Sequence, residues 1–227
     1  MRARWRWPSA LLLAAAATVV RADHAPLRLL ALGDSYTIGE DVAEVGRWPV
    51  QLAALLRADG IAVDPPTIVA RTGWTTDELS AAMDDAELAP HYDLVTLLIG
   101  VNNQYRGRPL DGYEAQFNAL LERAIELAGH RAGRVLVLSI PDWGATPFAA
   151  NSARDKARVG AEIDAFNRAA ATICAGQGVA FVDITPISRE PGAQADMIAA
   201  DGLHPSAAQY ALWAKRALPV AKALLAR

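Results

Sequence analysis

The chain of 227 residues holds one cysteine, Cys174. No intramolecular disulfide and no cysteine cluster for zinc can therefore form. Cys174 falls in an apolar helical pattern with Phe166, Ala170 and Ile173 and reads as a small core residue. An excess of one charge is also lacking. The net charge is −3, which gives no electrostatic reason to expect nucleic acid as a partner. There is no G-x-S-x-G elbow. There is no G-x-x-x-x-G-K-[ST] phosphate loop, no H-E-x-x-H helix, and no G-x-G-x-x-G after the first strand pattern. These absences lead us to expect no cofactor and no catalytic metal.

Long hydrophobic runs are missing beyond the amino end. There, Arg2, Arg4 and Arg6 precede an uncharged, mostly apolar run from Ala10 to Val20, followed by Val20-Arg21-Ala22. Basic start, short apolar run and small residues at a cut site form the three-part pattern of a secretory signal peptide. The run is short for a bilayer, which takes about 20 residues, so no stable membrane span is expected. Residues 1–22 are read as the signal peptide and 23–227 as the functional domain, in the periplasm or outside the cell.

What is present suits a globular domain of ordinary size. Apolar residues make up 52% and charged residues 21%, enough to bury a full core. Strand and helix patterns alternate. Apolar runs at Leu27–Leu32, Thr67–Ala70, Asp93–Ile99, Arg134–Ile140 and Val179–Ile184 predict strands. Helical spacing predicts helices over Val42–Asp59, Asp111–Ala128 and Asp155–Ala175, and another beginning at Ser206. Thr75 with Glu78 three residues on predicts a capping box. Near-continuous apolar strands between amphipathic helices imply an α/β fold with a parallel sheet of about five strands, covered on both faces. Such a fold places its site in loops beyond the carboxyl ends of the strands.

Four segments meet that rule: Gly33-Asp34-Ser35-Tyr36, Arg71-Thr72-Gly73-Trp74, Gly100-Val101-Asn102-Asn103, and Asp201-Gly202-Leu203-His204-Pro205. Asp201 and His204, three apart, can place a carboxylate against an imidazole, fixing its tautomer and stabilising its protonated form. A serine hydroxyl needs such a base to act as a nucleophile, and Ser35 stands at a strand end. The amides of Ser35 and Gly73 and the side chain of Asn102 could supply donors to a developing oxyanion. Trp74, Asn103, Tyr105 and Trp143 could line a substrate pocket, although packing roles fit the two tryptophans equally. Asp34 could simply bond backbone amides and hold its turn.

These segments, in this order, resemble the four blocks of the SGNH hydrolases, also called GDSL-like lipases or acylhydrolases. Ser35, Gly73, Asn102 and His204 match the naming residues and Asp201 the acid, over a span from Leu29 to about Leu212. The resemblance implies a flavodoxin-like three-layer α/β/α sandwich. It also implies a serine esterase acting through an acyl-enzyme on a small-molecule ester: a short-acyl lipid, a lysophospholipid or an acetylated carbohydrate. The same fold could instead serve as a non-catalytic carbohydrate-binding module, or an alcohol could replace water and make an acyltransferase. Oligomeric state is not read from these residues. Two positions depart from the family pattern. Tyr36 stands where leucine is usual, and Asn103 where aspartate is usual.

Mass spectrometry of the mature protein is expected to start at Asp23. A retained Met1 in an export-competent host would rule out the signal peptide.

Overall fold

The computed structural model describes residues 25–190 and 196–226. The expected signal peptide, residues 1–22, lies outside the described residues.

Five short strands carry the architecture: β1 (Leu29–Gly33), β2 (Thr67–Ala70), β3 (Leu94–Leu98), β4 (Val135–Leu138) and β5 (Ala180–Val182). All pairings are parallel, and the strand order is β2-β1-β3-β4-β5. Every residue of β1, β3 and β4 is buried. That explains their unbroken apolar sequences: a strand covered on both faces has no polar side to show. Edge strand β2 begins with the exposed Thr67.

Nine helices lie among the described residues: α1 (Ser35–Ile38), α2 (Trp48–Ala58), α3 (Thr76–Asp85), α4 (Val101–Tyr105), α5 (Leu110–Leu127), α6 (Pro147–Ala150), α7 (Lys156–Gln177), α8 (Thr185–Arg189) and α9 (Ala207–Leu225). The long ones sort by neighbour. α2 packs on α9, whereas α5 packs on both α3 and α7. With right-handed crossovers, these sets cover opposite faces of the sheet and give the three-layer α/β/α sandwich. Cys174 is fully buried on α7, and burial pushes its thiol up to about 12.

Two helix expectations need revision. The helix expected over Val42–Asp59 begins at Trp48, after a single 3₁₀ turn at Glu44–Gly46. Pro49 decides this. It lacks an N–H and is tolerated in a first turn, not in an interior. The four- and five-residue helices α1, α4, α6 and α8 were not foreseen, being too short to show a period. The capping box at α3 is present, with Thr75 N–H donating to Glu78 Oε2 at 2.9 Å.

Parallel strands bring all carboxyl ends to one edge of the sheet. The chain leaves β1 toward β2 and returns on the other side at β3, so the crevice opens between the ends of β1 and β3. Gly33 closes β1 there. A Cβ on it would lie 2.1 Å from Thr37 Oγ1 and 2.5 Å from the Leu98 carbonyl oxygen. Gly176 on α7, by contrast, faces open space. Gly33→Ala is expected to lower unfolding free energy in urea titrations by about 1–3 kcal/mol through overpacking. Gly176→Ala should raise it by up to about 1 kcal/mol. A neutral Gly33→Ala would show that the close turn is not a constraint.

Candidate active site

The turn after β1 is built by Asp34. It caps α1, its Oδ1 accepting the Tyr36 N–H at 3.0 Å. Its Oδ2 is buried without a protein partner. Burial disfavours the charged carboxylate more than the backbone amides favour it, and the Asp34 pKa is pushed up to about 7. Ser35 follows as the first residue of α1. Tyr36 lies beneath, its ring 5.5 Å from that of His204 and 6.0 Å from that of Trp213. Burial, with the Asp34 charge adding to it, raises the Tyr36 phenol well above its ordinary value.

The loop after β2 turns at Gly73, whose φ of +88° is a conformation that favours glycine. α4, which follows β3, clamps this loop. Asn102 Nδ2 donates to the Trp74 carbonyl at 2.9 Å, and the following Arg106 donates through Nη2 to the Gly73 carbonyl at 2.6 Å.

His204 stands on a hairpin-like loop before α9. Ala199 N–H donates to the His204 carbonyl at 2.7 Å and Ser206 N–H to the Met197 carbonyl at 2.9 Å. Ser206 then caps α9. Asp201 Oδ1 accepts the backbone N–H groups of Leu203 and His204 at 2.9 Å each, and its Oδ2 is hydrogen-bonded to His204 Nδ1. Partial burial works upward on the Asp201 pKa. The bonds from the His204 ring and the two amides outweigh it and hold the carboxyl below its usual value. With Nδ1 engaged, Nε2 is the ring nitrogen left for chemistry.

Ser35, Gly73, Asn102 and His204 line one cavity of about 190 Å³, together with Tyr105 and Trp143. Asp201 is not part of this lining and meets the cavity only through His204. Two expected lining residues do not reach the cavity. Trp74 packs against the hydrophobic core. Asn103 is 1% exposed, with Oδ1 accepting Thr76 N–H at 3.1 Å and Nδ2 donating to Thr76 Oγ1 at 2.7 Å. The reason is helical geometry: consecutive residues point about 100° apart, so Asn103 turns away where Asn102 faces in. An amide also suits this place, because it can donate and accept at once whereas a carboxylate only accepts. Sequence reasoning missed Phe148 and Leu203, which also line the cavity. Phe148 lies on four-residue α6, and its backbone N–H donates to the Gly202 carbonyl at 2.8 Å, tying α6 to the histidine loop. Among the described residues, no group of three or more His, Cys, Asp or Glu is placed to hold a metal ion. No helix among them is long and apolar enough to cross a membrane.

A doubly wound α/β/α sandwich with a serine at its switch point and an Asp–His pair before its last helix defines the SGNH hydrolase class. The chain belongs to the GDSL-like Lipase/Acylhydrolase family, whose model matches residues 31–212. Searched against curated proteins, it matches none. Among solved structures it is similar to TesA, with a TM-score of 0.64 and 21% identity, over 87% of this chain and 99% of that one. It is similar to Axe2, an acetylxylan esterase from Geobacillus stearothermophilus, with a TM-score of 0.65 and 21% identity, over 86% and 94% of the two chains. A lipase/acylhydrolase from Enterococcus faecalis matches with a TM-score of 0.65 and 21% identity, over 87% and 95%. At these identities the likeness is one of fold.

The two carboxyls impose opposite pH dependences. For Asp34, with its folded pKa raised, the stabilising contribution is whole below the ordinary value of 3.8 and is lost as pH rises to about 7. For Asp201, with its folded pKa lowered, the contribution holds above 3.8 and is lost as pH falls through the folded value. The stability advantage of wild type over Asp34→Asn should therefore shrink between about pH 4 and pH 7 in urea titrations. A pH-independent difference would mean that Asp34 stays charged throughout.

Proposed function

We propose that the protein is a serine esterase that hydrolyses small carboxylic esters through an acyl-enzyme. The observation that carries this reading is the shared cavity: Ser35 and His204 both face it, and Asp201 engages His204 from behind. In the reaction, Ser35 Oγ attacks the acyl carbonyl carbon while its proton passes to His204 Nε2. The carbonyl oxygen becomes an oxyanion, held by Ser35 N–H, Gly73 N–H and the Asn102 amide. Asn102 has one N–H engaged by Trp74 O, which leaves the second for the oxyanion. As the tetrahedral centre collapses, the C–O bond to the alcohol breaks and His204 returns its proton to that oxygen. Water then repeats the sequence in reverse on the acyl-Ser35 ester and releases the acid. Asp201 keeps His204 in the productive tautomer and stabilises the imidazolium.

Membership of an acylhydrolase family supports this reading, as does the printed activity of the acetylxylan esterase that shares the fold. An exported location follows if residues 1–22 direct secretion.

Hydrolysis of p-nitrophenyl esters by wild type and variants tests it. Ser35→Ala and His204→Ala should each lower kcat by about 10⁴ or more. Asn102→Ala should lower it by about 10²–10³, the worth of one oxyanion donor. Equal rates in wild type and Ser35→Ala, with both folded, would remove Ser35 as nucleophile.

A further inference from the structure

Gln104 touches none of the reacting groups, yet it is 2% exposed. Its Oε1 accepts the Trp143 indole N–H at 2.8 Å, and its Nε2 donates to Glu162 Oε2 at 2.7 Å. Glu162 is steadied in turn by Arg158, whose Nε donates to Oε1 at 2.8 Å. The Trp143 backbone is fixed separately. Asp142 accepts Gly144 N–H at 2.8 Å on Oδ1 and Arg189 Nε at 2.8 Å on Oδ2, and donates its own N–H to Ser188 Oγ at 2.9 Å. Both ends of this tryptophan are thus held.

The indole carries the rest of the cavity wall. Tyr105 meets it edge-on at 5.2 Å and Phe148 at 6.1 Å. Arg154 sits 5.8 Å over the Tyr105 ring and 5.9 Å over Trp143, and donates to the Tyr105 carbonyl at 3.1 Å. Beyond Ser35, His204 and the oxyanion donors, the lining is therefore largely aromatic and aliphatic. Only one residue separates Gln104 from Asn102, so α4 serves the oxyanion on one side and the wall on the other.

We propose that Gln104 is a positioning residue for acyl selection: by locking the Trp143 indole against the cavity, it fits the site to esters whose acyl group is apolar and longer than acetyl. The proposal rests on the esterase reading above. Each methylene buried against such a wall favours the transition state by roughly fourfold. The cavity, about 190 Å³, is smaller than the roughly 300–1,000 Å³ of drug-sized pockets, so the gain ends well before lipid-length chains.

The test compares kcat/KM for p-nitrophenyl hexanoate and acetate in the full chain. Wild type should favour hexanoate by at least about tenfold. Gln104→Met keeps the side-chain length and loses both hydrogen bonds. It should cut the hexanoate-to-acetate ratio by threefold or more, chiefly through a higher KM for hexanoate. Tyr105→Ala, at a residue 47% exposed, removes part of the same wall without opening the core and should shift the ratio the same way. A residue that served only stability would lower both esters alike. A ratio changed by less than threefold in Gln104→Met, or a wild type without preference for hexanoate, overturns the proposal. Calorimetric binding of hexanoate against acetate to Ser35→Ala, with and without Gln104→Met, separates the two readings. Absent turnover with a Gln104-dependent affinity ratio would sink the esterase alone. Turnover with an unaltered ratio would sink the role of Gln104 alone.

Discussion

The close passage of β1 past β3 at Gly33 governs the geometry of everything above it. The Gly33 α-carbon leaves no space for a methyl group between Thr37 and the Leu98 carbonyl. The chain can therefore turn at once into Asp34 and α1. Asp34 holds that turn through Tyr36 N–H, and Ser35 emerges at the mouth of the crevice. Tyr36, buried beneath, packs on the His204 and Trp213 rings. The serine and the histidine, 169 residues apart in sequence, thus share one aromatic support. Displacing the turn would move both.

The second organising unit is α4. Three consecutive polar side chains there serve three different neighbours. Asn102 faces the cavity and ties down Trp74, Asn103 holds the start of α3 through Thr76, and Gln104 holds Trp143. A short helix suits this task because each residue points about 100° from the last. Asn102, the loop after β2 and the apolar wall are then parts of one assembly. In the proposed reaction, such preorganisation would let fixed dipoles stabilise developing charge without reorganising.

Two aspartates at one site also behave in opposite ways for identifiable reasons. Asp34 is sealed from water with one oxygen unpartnered, so burial favours its neutral form. Asp201 receives three hydrogen bonds from Leu203 and His204, which favour its charge. The carboxyl held below its ordinary value meets the histidine, and the one pushed up to about 7 holds the backbone.

Much of this was legible in the residue order. Apolar strands alternating with amphipathic helices point to a parallel sheet buried on both faces, because helical crossovers cover both sides of such a sheet. That sheet in turn requires the site to lie at its carboxyl edge, where Gly33-Asp34-Ser35, Gly73, Gly100-x-Asn102 and Asp201-x-x-His204 stand. The direction of individual side chains was not legible. Asn102 and Asn103 are chemically identical neighbours, and only the phase of α4 sends one into the cavity and buries the other against Thr76. Trp74 and Trp143 looked equivalent as loop tryptophans, yet Trp143, buried in the core and hydrogen-bonded to Gln104 39 residues away, also lines the cavity, whereas Trp74 packs at the core's margin and does not reach it. Local composition and period determine which segments form strands or helices and which of their faces are buried, since those depend on the spacing of apolar residues. Which atoms face one another depends on contacts between distant segments, and only the tertiary structure supplies those.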